Sequence, residues 1–148
     1  MCNYIPQQTL GYLLAQVCKA HVTTASAMLA ALGIHVGQEM VLLHLWDEDG
    51  LTQTELGERL CVRPATVTKM LGRMEHAGLV ERRKDPDDQR VSRVWLTEQG
   101  CQLETPLDAH WAMLEARAFG NFSDEERQQL RHLLERVYEN LTATDDQA

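Results

Sequence analysis

The sequence predicts a mainly α-helical fold with one small β-hairpin, and three observations support this. Apolar residues recur every three or four positions over long stretches near both ends of the chain. Two short runs rich in β-branched residues, 79–84 and 91–97, lie on either side of a polar segment that contains a proline. The 148 residues, 44% of them hydrophobic, are enough for one core with a helical extension, so we expect a single unit over residues 1–148.

Two helices are expected in the N-terminal third of the chain. Residues 9–32 place apolar side chains on one helical face without a proline, and Gly33 is a natural C-terminal stop. A helix of this length spans about 36 Å, which is more than a compact three-helix core needs. A second helix is expected over residues 36–47, before the turn at Asp49-Gly50.

The centre of the chain predicts two consecutive helices joined by a tight turn. Thr52, followed three residues later by Glu55, forms a capping box that marks the start of a short helix ending near Leu60. Pro64 then lies in the first turn of a following helix. Proline is favourable there because N–H groups of the first turn make no hydrogen bond within the helix. That helix is expected to end near Gly78 and to have one apolar face and one polar, basic face.

The C-terminal part of the chain predicts two more helices. Thr97 is expected to cap the first, in which Pro106 should kink or locally break the hydrogen-bond ladder. Ser123 and Glu126 form a second capping box, and apolar residues repeat at near-heptad spacing after it. Those residues are Leu130, Leu134, Val137 and Leu141.

The charges are distributed very unevenly. The net charge is −8, yet residues 59–93 hold nine of the 14 basic residues and only five of the 22 acidic ones. This window is therefore positive by four charges, and the rest of the chain is negative by twelve. A basic region on an acidic body attracts phosphate to one face and repels it from the others.

The order of the predicted elements indicates a winged helix-turn-helix core over residues 36–100. The long helices over residues 5–35 and 101–143 are expected to be dimerisation helices that flank this core. A DNA major groove about 12 Å wide admits one α-helix, and short side chains near its N-terminus allow a close approach to the bases. The residues predicted to bind duplex DNA are Arg63, Pro64, Ala65, Thr66, Thr68, Lys69, Arg73, Arg82 and Arg90.

The tip of the hairpin combines an arginine with three acidic residues. Asp85, Asp87 and Asp88 are expected to hold the Arg90 guanidinium in an extended conformation through charge-assisted hydrogen bonds. Arginine is often inserted into a narrow, A·T-rich minor groove. We therefore expect the hairpin to contact the minor groove next to the major groove that the helix enters.

Several segments resemble the MarR family of bacterial transcriptional regulators. Residues 51–56 (Leu-Thr-Gln-Thr-Glu-Leu) and 64–70 (Pro-Ala-Thr-Val-Thr-Lys-Met) look like the helix-turn-helix of that family. Residues 78–82 (Gly-Leu-Val-Glu-Arg), 85–90 (Asp-Pro-Asp-Asp-Gln-Arg) and 96–100 (Leu-Thr-Glu-Gln-Gly) resemble its wing and the exit from it. The segments follow one another in the order and spacing of the family.

The resemblance covers about Leu10 to Leu141 and implies more than the fold. It implies a two-fold homodimer made by the terminal helices, a pseudo-palindromic operator, and repression. It also implies a cleft between the dimerisation and DNA-binding lobes, in which a small aromatic or lipophilic effector loosens DNA binding. Arg63 departs from the family, which more often has an acidic or small residue there.

A thiol-based redox regulator is one alternative. Cys18 lies three residues before His21 on the first helix, so its thiolate could serve as a peroxide sensor. Some members of the family sense peroxides through a cysteine near the start of this helix, but counting back from Leu32-Gly33 puts Gly11 there. A second alternative is a winged helix that binds protein instead of DNA.

The sequence gives no sign of catalysis, of a metal or cofactor site, or of a membrane span. The four cysteines form no CxxC pair, and the six histidines form no HxxxH pair. No paired carboxylates, glycine-rich phosphate loop or catalytic triad can be identified. The absence of a signal segment and of about 20 consecutive apolar residues leads us to expect a cytoplasmic protein without membrane contact.

Overall fold

The computed structural model describes residues 6–143, in two compact units that divide between Trp111 and Ala112. The expected mainly α-helical fold with one hairpin is confirmed. The elements of the described part are a 3-10 turn at Pro6–Gln8, α1 (Leu10–Ala31), α2 (Gln38–Asp47), α3 (Gln53–Leu60), α4 (Pro64–His76), β1 (Val80–Lys84), β2 (Ser92–Leu96), α5 (Glu98–Gln102), α6 (Glu104–Phe119) and α7 (Asp124–Thr142).

Both predicted capping boxes are present. At the start of α3, Glu55 N–H donates to Thr52 Oγ1 at 3.1 Å, and Thr52 N–H donates to Glu55 Oε2 at 2.7 Å. Ser123 and Glu126 repeat this exchange at the start of α7, with distances of 3.2 and 2.8 Å. Each exchange satisfies two backbone donors that a helix start leaves free, which fixes both helix boundaries locally.

Two helix boundaries have causes that lie in single residues. Helix α2 begins at Gln38, two residues later than expected, because Gly37 adopts a left-handed conformation with φ 96° that cannot belong to a helix. The predicted break near Pro106 is confirmed, since α5 ends at Gln102 and α6 begins at Glu104. The proline ring clashes with the carbonyl group four residues earlier, so the helix is interrupted upstream of the proline itself.

The hairpin is attached to the segment that precedes α3. Strands β1 and β2 pair antiparallel, from Val80 opposite Leu96 to Lys84 opposite Ser92. Val94 N–H then donates to the Leu51 carbonyl group at 2.8 Å, which adds a short third stretch beside β2. The β1–β2 hairpin, which we call the wing, is therefore held at its base next to the helix-turn-helix.

The hydrophobic core lies between α2, α3, α4 and the base of the hairpin. Each fully buried leucine or valine contributes about 1.5–3 kcal/mol by leaving water. The core also contains Leu29 from α1, Ile34 from the α1–α2 connection and Leu107 from α6. Its members are Leu29, Ile34, Val41, Leu42, Leu45, Leu51, Leu56, Val67, Leu71, Met74, Leu79, Val80, Val94 and Leu107.

The first and last helices leave many apolar side chains in water. Helix α1 exposes Leu10, Leu13, Val17 and Val22, and none of the residues of α7 is buried. On α7 the exposed apolar residues are Leu133, Leu134, Val137, Tyr138 and Leu141. Within residues 6–143, no helix is both long and apolar enough to cross a membrane.

Candidate nucleic-acid interface

Helix α4 has one buried face and one exposed face. Val67, Leu71 and Met74 are completely buried at helical spacing. The opposite face exposes Thr66, Lys69 and Arg73 to water. Because the core anchors one side of the helix, the other side is held outward as a rigid polar surface.

The start of α4 is exposed and has small side chains, features that allow a helix to enter a groove. Arg63 is the N-cap residue, with an extended backbone and without a side-chain cap hydrogen bond. Pro64 occupies the first turn, and both it and Ala65 are exposed. This end therefore presents two small side chains and one cation to water.

Close packing joins α3 to α4. Cys61 ends α3 in a left-handed conformation with φ 52°, and Val62 N–H donates to the Gly57 carbonyl group at 3.0 Å. A Cβ atom added at Gly57 would lie only 3.3 Å from Val67 Cγ2. The glycine thus permits the close approach of the two helices.

The Thr68 hydroxyl group has hydrogen bonds within the helix-turn-helix. Its Oγ1 donates to the Pro64 carbonyl group at 3.0 Å and accepts a hydrogen bond from Gln53 Nε2. Sequence reasoning did not identify Gln53, whose side chain connects the first residue of α3 to the exposed face of α4. A hydroxyl oxygen has two lone pairs, so Thr68 retains one acceptor position and its methyl group.

Arg82 lies at the junction of α4 and β1, where it pairs with Glu75. Its Nε and Nη2 atoms donate to Glu75 Oε2 at 3.1 and 2.7 Å. The Arg82 side chain is only 28% exposed. The predicted DNA-binding arginine is thus engaged within the protein.

Arg90 projects from the wing and is held by one aspartate. Its Nε donates to Asp88 Oδ1 at 3.1 Å and its Nη2 to Asp88 Oδ2 at 3.2 Å. The Arg90 side chain is nevertheless 92% exposed. This pairing with Arg90 is the main cause of a lowered pKa for Asp88.

The expectation that all three aspartates hold Arg90 is wrong. Asp85 is 7% exposed, and its Oδ2 accepts a hydrogen bond from Arg93 Nε instead. Its Oδ1 accepts from the backbone N–H groups of Asp87 and Asp88 at 2.8 and 3.1 Å. The Arg93 guanidinium, with these two amides, holds the pKa of Asp85 below its usual range.

Asp85 is thus a turn residue, as an aspartate at the first position of a polar turn often is. Sequence reasoning missed Arg93. The Asx turn could have been recognised from the Asp-Pro-Asp-Asp segment, but the arginine that binds its second oxygen lies across the hairpin.

A cavity of about 470 Å³ lies against the exposed face of α4. On one side it is bounded by the connection between α1 and α2, where His35 N–H donates to Gln38 Oε1 at 3.0 Å. Its lining includes apolar groups and two cations on α4. The lining residues are His35, Val36, Gln38, Ala65, Thr66, Lys69, Met70 and Arg73.

The cysteines of the described part form no disulfide bond with one another. Cys18 on α1, Cys61 at the end of α3 and Cys101 on α5 are exposed free thiols, and Cys2 lies outside the described residues. In residues 6–143, no three His, Cys, Asp or Glu side chains come together as potential metal ligands.

Comparison with known proteins agrees with this geometry. The family model described as "MarR family" matches residues 34–92. The organic hydroperoxide resistance transcriptional regulator of Bacillus subtilis is 32% identical over 136 residues, which cover 91% of this chain and 90% of that protein. The transcriptional regulator TtmR of Methylorubrum extorquens is 41% identical over 71 residues, or 48% of this chain, but the match spans only 36% of TtmR.

A solved structure has a similar fold. The MepR–DNA complex of S. aureus superimposes with a TM-score of 0.82 at 25% sequence identity, covering 89% of this chain and 98% of the MepR chain. The match therefore extends beyond the winged core to most of the described helices.

Proposed function

Because the chain belongs to the MarR family of transcriptional regulators, we propose that it binds a pseudo-palindromic DNA operator as a homodimer and represses transcription. In this proposal it acts in the cytoplasm and is not an enzyme. The observation that supports it best is the exposed face of α4, where Thr66, Lys69 and Arg73 stand opposite a fully buried apolar face. A rigid, basic helix face of this kind fits a major groove.

Each residue at the proposed interface has a chemical role. Thr66 and Ala65 lie where short side chains let the helix approach the bases, and Thr68 offers its remaining acceptor position. Arg73 can make a bidentate contact with guanine, and Lys69 and Arg63 can bind phosphate. Phosphate contacts would set the register, and base contacts would set the sequence preference.

The wing would supply a second contact. Arg90 is extended by Asp88 and exposed at the tip, which suits insertion into a minor groove. Asp87 is exposed beside it, and its N–H group helps to close the turn. Arg82 contributes by attaching β1 to α4, since its guanidinium is paired with Glu75.

The exposed apolar residues support a homodimer. Leu13 and Val17 on α1 are each 55% exposed, and Leu141 on α7 is 75% exposed. Apolar surface of this kind is stabilised when a second copy of the chain covers it. The two copies of α4, about 34 Å apart, would then read successive major grooves, and the operator would be pseudo-palindromic.

An effector would act through the cavity beside α4. Met70 and Val36 offer apolar contacts, while Lys69 and Arg73 can bind an acidic or polar group. We propose a small aromatic or lipophilic effector there. It would lower DNA affinity because the cavity is lined by residues that the DNA also needs, so the two ligands would exclude each other.

Selection from a random pool of duplex DNA tests the main proposal. At about 150 mM salt, the parent should enrich an inverted repeat, and Lys69→Ala and Arg90→Ala should each weaken binding to it. Lys69→Ala should also reduce the magnitude of the slope of log affinity against log salt by about 1.8, since one phosphate contact is lost in each of the two protomers. Arg117→Ala removes one exposed cation of α6 and should leave both quantities unchanged.

An intact dimer that enriches no DNA would contradict the proposal. It would favour a winged helix whose partner is a protein.

A second candidate function is regulation through the Cys18 thiol. The exposed free thiol on α1 and the name of the B. subtilis relative support it. An organic hydroperoxide would oxidise the thiol to a sulfenic acid and would itself be reduced to an alcohol. Peroxide should then release DNA from the parent and from Cys61→Ser, but not from Cys18→Ser, whereas release from all three would exclude Cys18.

A further inference from the structure

We propose that Arg93 positions the wing for DNA binding without contacting the DNA itself, an inference that rests on the DNA-binding function proposed above. One guanidinium joins two distant parts of the fold. Arg93 Nε donates to Asp85 Oδ2, and Arg93 Nη1 donates to the Gly50 carbonyl group at 2.9 Å. We call this group of three residues, Gly50, Asp85 and Arg93, the Arg93 link.

The Arg93 link is continuous with the tip of the wing. Asp85 receives Arg93 on one oxygen and the N–H groups of Asp87 and Asp88 on the other. Asp88 in turn holds the Arg90 guanidinium through both of its oxygens. The exposed arginine of the wing is therefore connected, through two carboxylates, to the loop that precedes α3.

The other hydrogen bonds between the hairpin and the segment before α3 lie further from the tip. Leu96 N–H donates to Asp49 Oδ1 at 2.9 Å, and Val94 N–H donates to the Leu51 carbonyl group at 2.8 Å. These bonds hold the base of the hairpin when Arg93 is removed. Loss of the Arg93 link should therefore release the tip and leave the fold intact.

The surroundings of Arg93 argue against a direct phosphate contact. The Asp85 side chain is 11% exposed and that of Arg93 is 37% exposed. The partner carboxylate compensates the charge of the guanidinium, and Nη1 is engaged by Gly50. The geometry of the link also requires an arginine, because a lysine has a single ammonium group in place of the planar fork that reaches two acceptors at once.

Arg83 provides a matched control. It lies directly opposite Arg93 in the register of the hairpin and is also an arginine. Its guanidinium pairs with Glu81 and lies 6.0 Å from the centre of the Trp95 ring, so it has no part in the Arg93 link. Arg83→Gln removes the same charge from the same hairpin.

The test is a double-mutant cycle on an operator selected with the parent. Arg93→Gln should weaken binding about tenfold, and should add nothing in a chain that already carries Arg90→Ala, because both changes remove the same wing contact. Arg93→Lys should bind as weakly as Arg93→Gln. Any effect of Arg83→Gln should be the same with and without Arg90→Ala.

Two outcomes of the cycle would overturn the proposal. Additive losses for Arg93→Gln and Arg90→Ala would show that Arg93 acts independently of the wing tip. Full affinity in Arg93→Lys would show that only the charge matters, as in a phosphate contact.

Hydrogen exchange of the free protein gives a readout that needs no DNA. In Arg93→Gln the amides of Asp87 and Asp88 should exchange faster than in the parent, while those of Val41 and Leu45 in α2 should not change. Unchanged exchange at the tip would contradict the positioning role of Arg93 but would leave the proposed DNA binding unaffected. Failure of the parent to bind any duplex would instead remove the proposed function, so the two failures can be told apart.

Discussion

Glu75 receives three hydrogen bonds from Arg82 and so connects the last turn of α4 to β1. The Arg82 backbone N–H donates to Oε1 at 3.2 Å, and Nε and Nη2 donate to Oε2 at 3.1 and 2.7 Å. The Arg82 guanidinium is the main reason that the pKa of Glu75 is lowered. The pair therefore ties the hairpin directly to α4.

Replacing Arg82 should therefore affect stability more than phosphate binding. Arg82→Ala should lower the free energy of unfolding by about 1 kcal/mol, a value limited by solvent screening of a partly exposed pair. Urea unfolding at fixed protein concentration measures this change. The salt dependence of DNA binding should keep the slope of the parent, in contrast to Lys69→Ala; a slope whose magnitude falls by about 1.8 would show a phosphate contact by Arg82 in each protomer.

The same pair predicts a dependence on pH. A carboxyl group whose pKa is lowered on folding contributes stability above its ordinary value of about 4.3 and loses it as the pH falls through the folded value. The difference in unfolding free energy between the parent and Arg82→Ala should thus shrink below about pH 4. A difference that stays constant with pH would mean that the charge of Glu75 is irrelevant.

Gly50 should tolerate no side chain. Its φ of 76° is left-handed, and an added Cβ atom would lie 2.5 Å from the Trp95 ring. Gly50→Ala should destabilise the fold by at least about 1–3 kcal/mol, because both the backbone and the ring must move. Gly72→Ala is the control: nothing lies within 4 Å of that position in α4, so it should stabilise by about 0.5–1 kcal/mol.

Thermal unfolding of the two glycine variants should therefore shift in opposite directions. Equal shifts would show that the space around Gly50 is not what restricts it.

Local features of this fold could be predicted from the sequence, and distant side-chain partners could not. The capping boxes at Thr52 and Ser123 involve residues three positions apart, so their pattern is visible in the chain itself. Arg93, in contrast, binds a carbonyl group 43 residues away. Whether Arg93 binds Asp85 or remains in solvent depends on how the hairpin packs on the loop before α3. The periodicity of apolar residues in the sequence does not contain that information.

The residues predicted to bind DNA divide in the same way. Helical spacing predicted the exposed face of α4, and the structure places Thr66, Lys69 and Arg73 there. The internal partners of Arg82 and Thr68 depend on the approach of neighbouring elements. The sequence therefore predicted which surface is exposed better than it predicted which side chains on that surface have partners within the protein.

The N-cap of α3 should contribute measurably to stability. Thr52→Ala removes the oxygen that accepts the Glu55 N–H and should cost about 1 kcal/mol. Thr54→Ala, at an exposed position two residues later in the same helix, keeps the cap and should be neutral or slightly stabilising. Denaturant midpoints of the two variants check this, and equal midpoints would contradict the role of the cap.

Glu39 should make the protein less stable as the pH rises. The residue is 6% exposed, and its Oε2 has no hydrogen-bond partner among residues 6–143. Burial raises its pKa, although the backbone N–H groups of Glu39 and Gly37 oppose this. A carboxyl group whose pKa is raised on folding stabilises the fold fully below its ordinary value of about 4.3, and this contribution is lost as the pH rises through the folded value.

Comparison with Glu39→Gln, which cannot ionise, isolates this effect. The free energy of unfolding of the parent, measured relative to Glu39→Gln, should fall as the pH rises above about 4, because the parent must then bury a charge. Any constant difference between the two side chains cancels from this comparison. Glu58→Gln, which removes an exposed carboxylate of α3, reports the general effect of net charge. A parent that gains stability relative to Glu39→Gln as the pH rises would show that the buried carboxylate is stabilised as an anion, against the direction argued here.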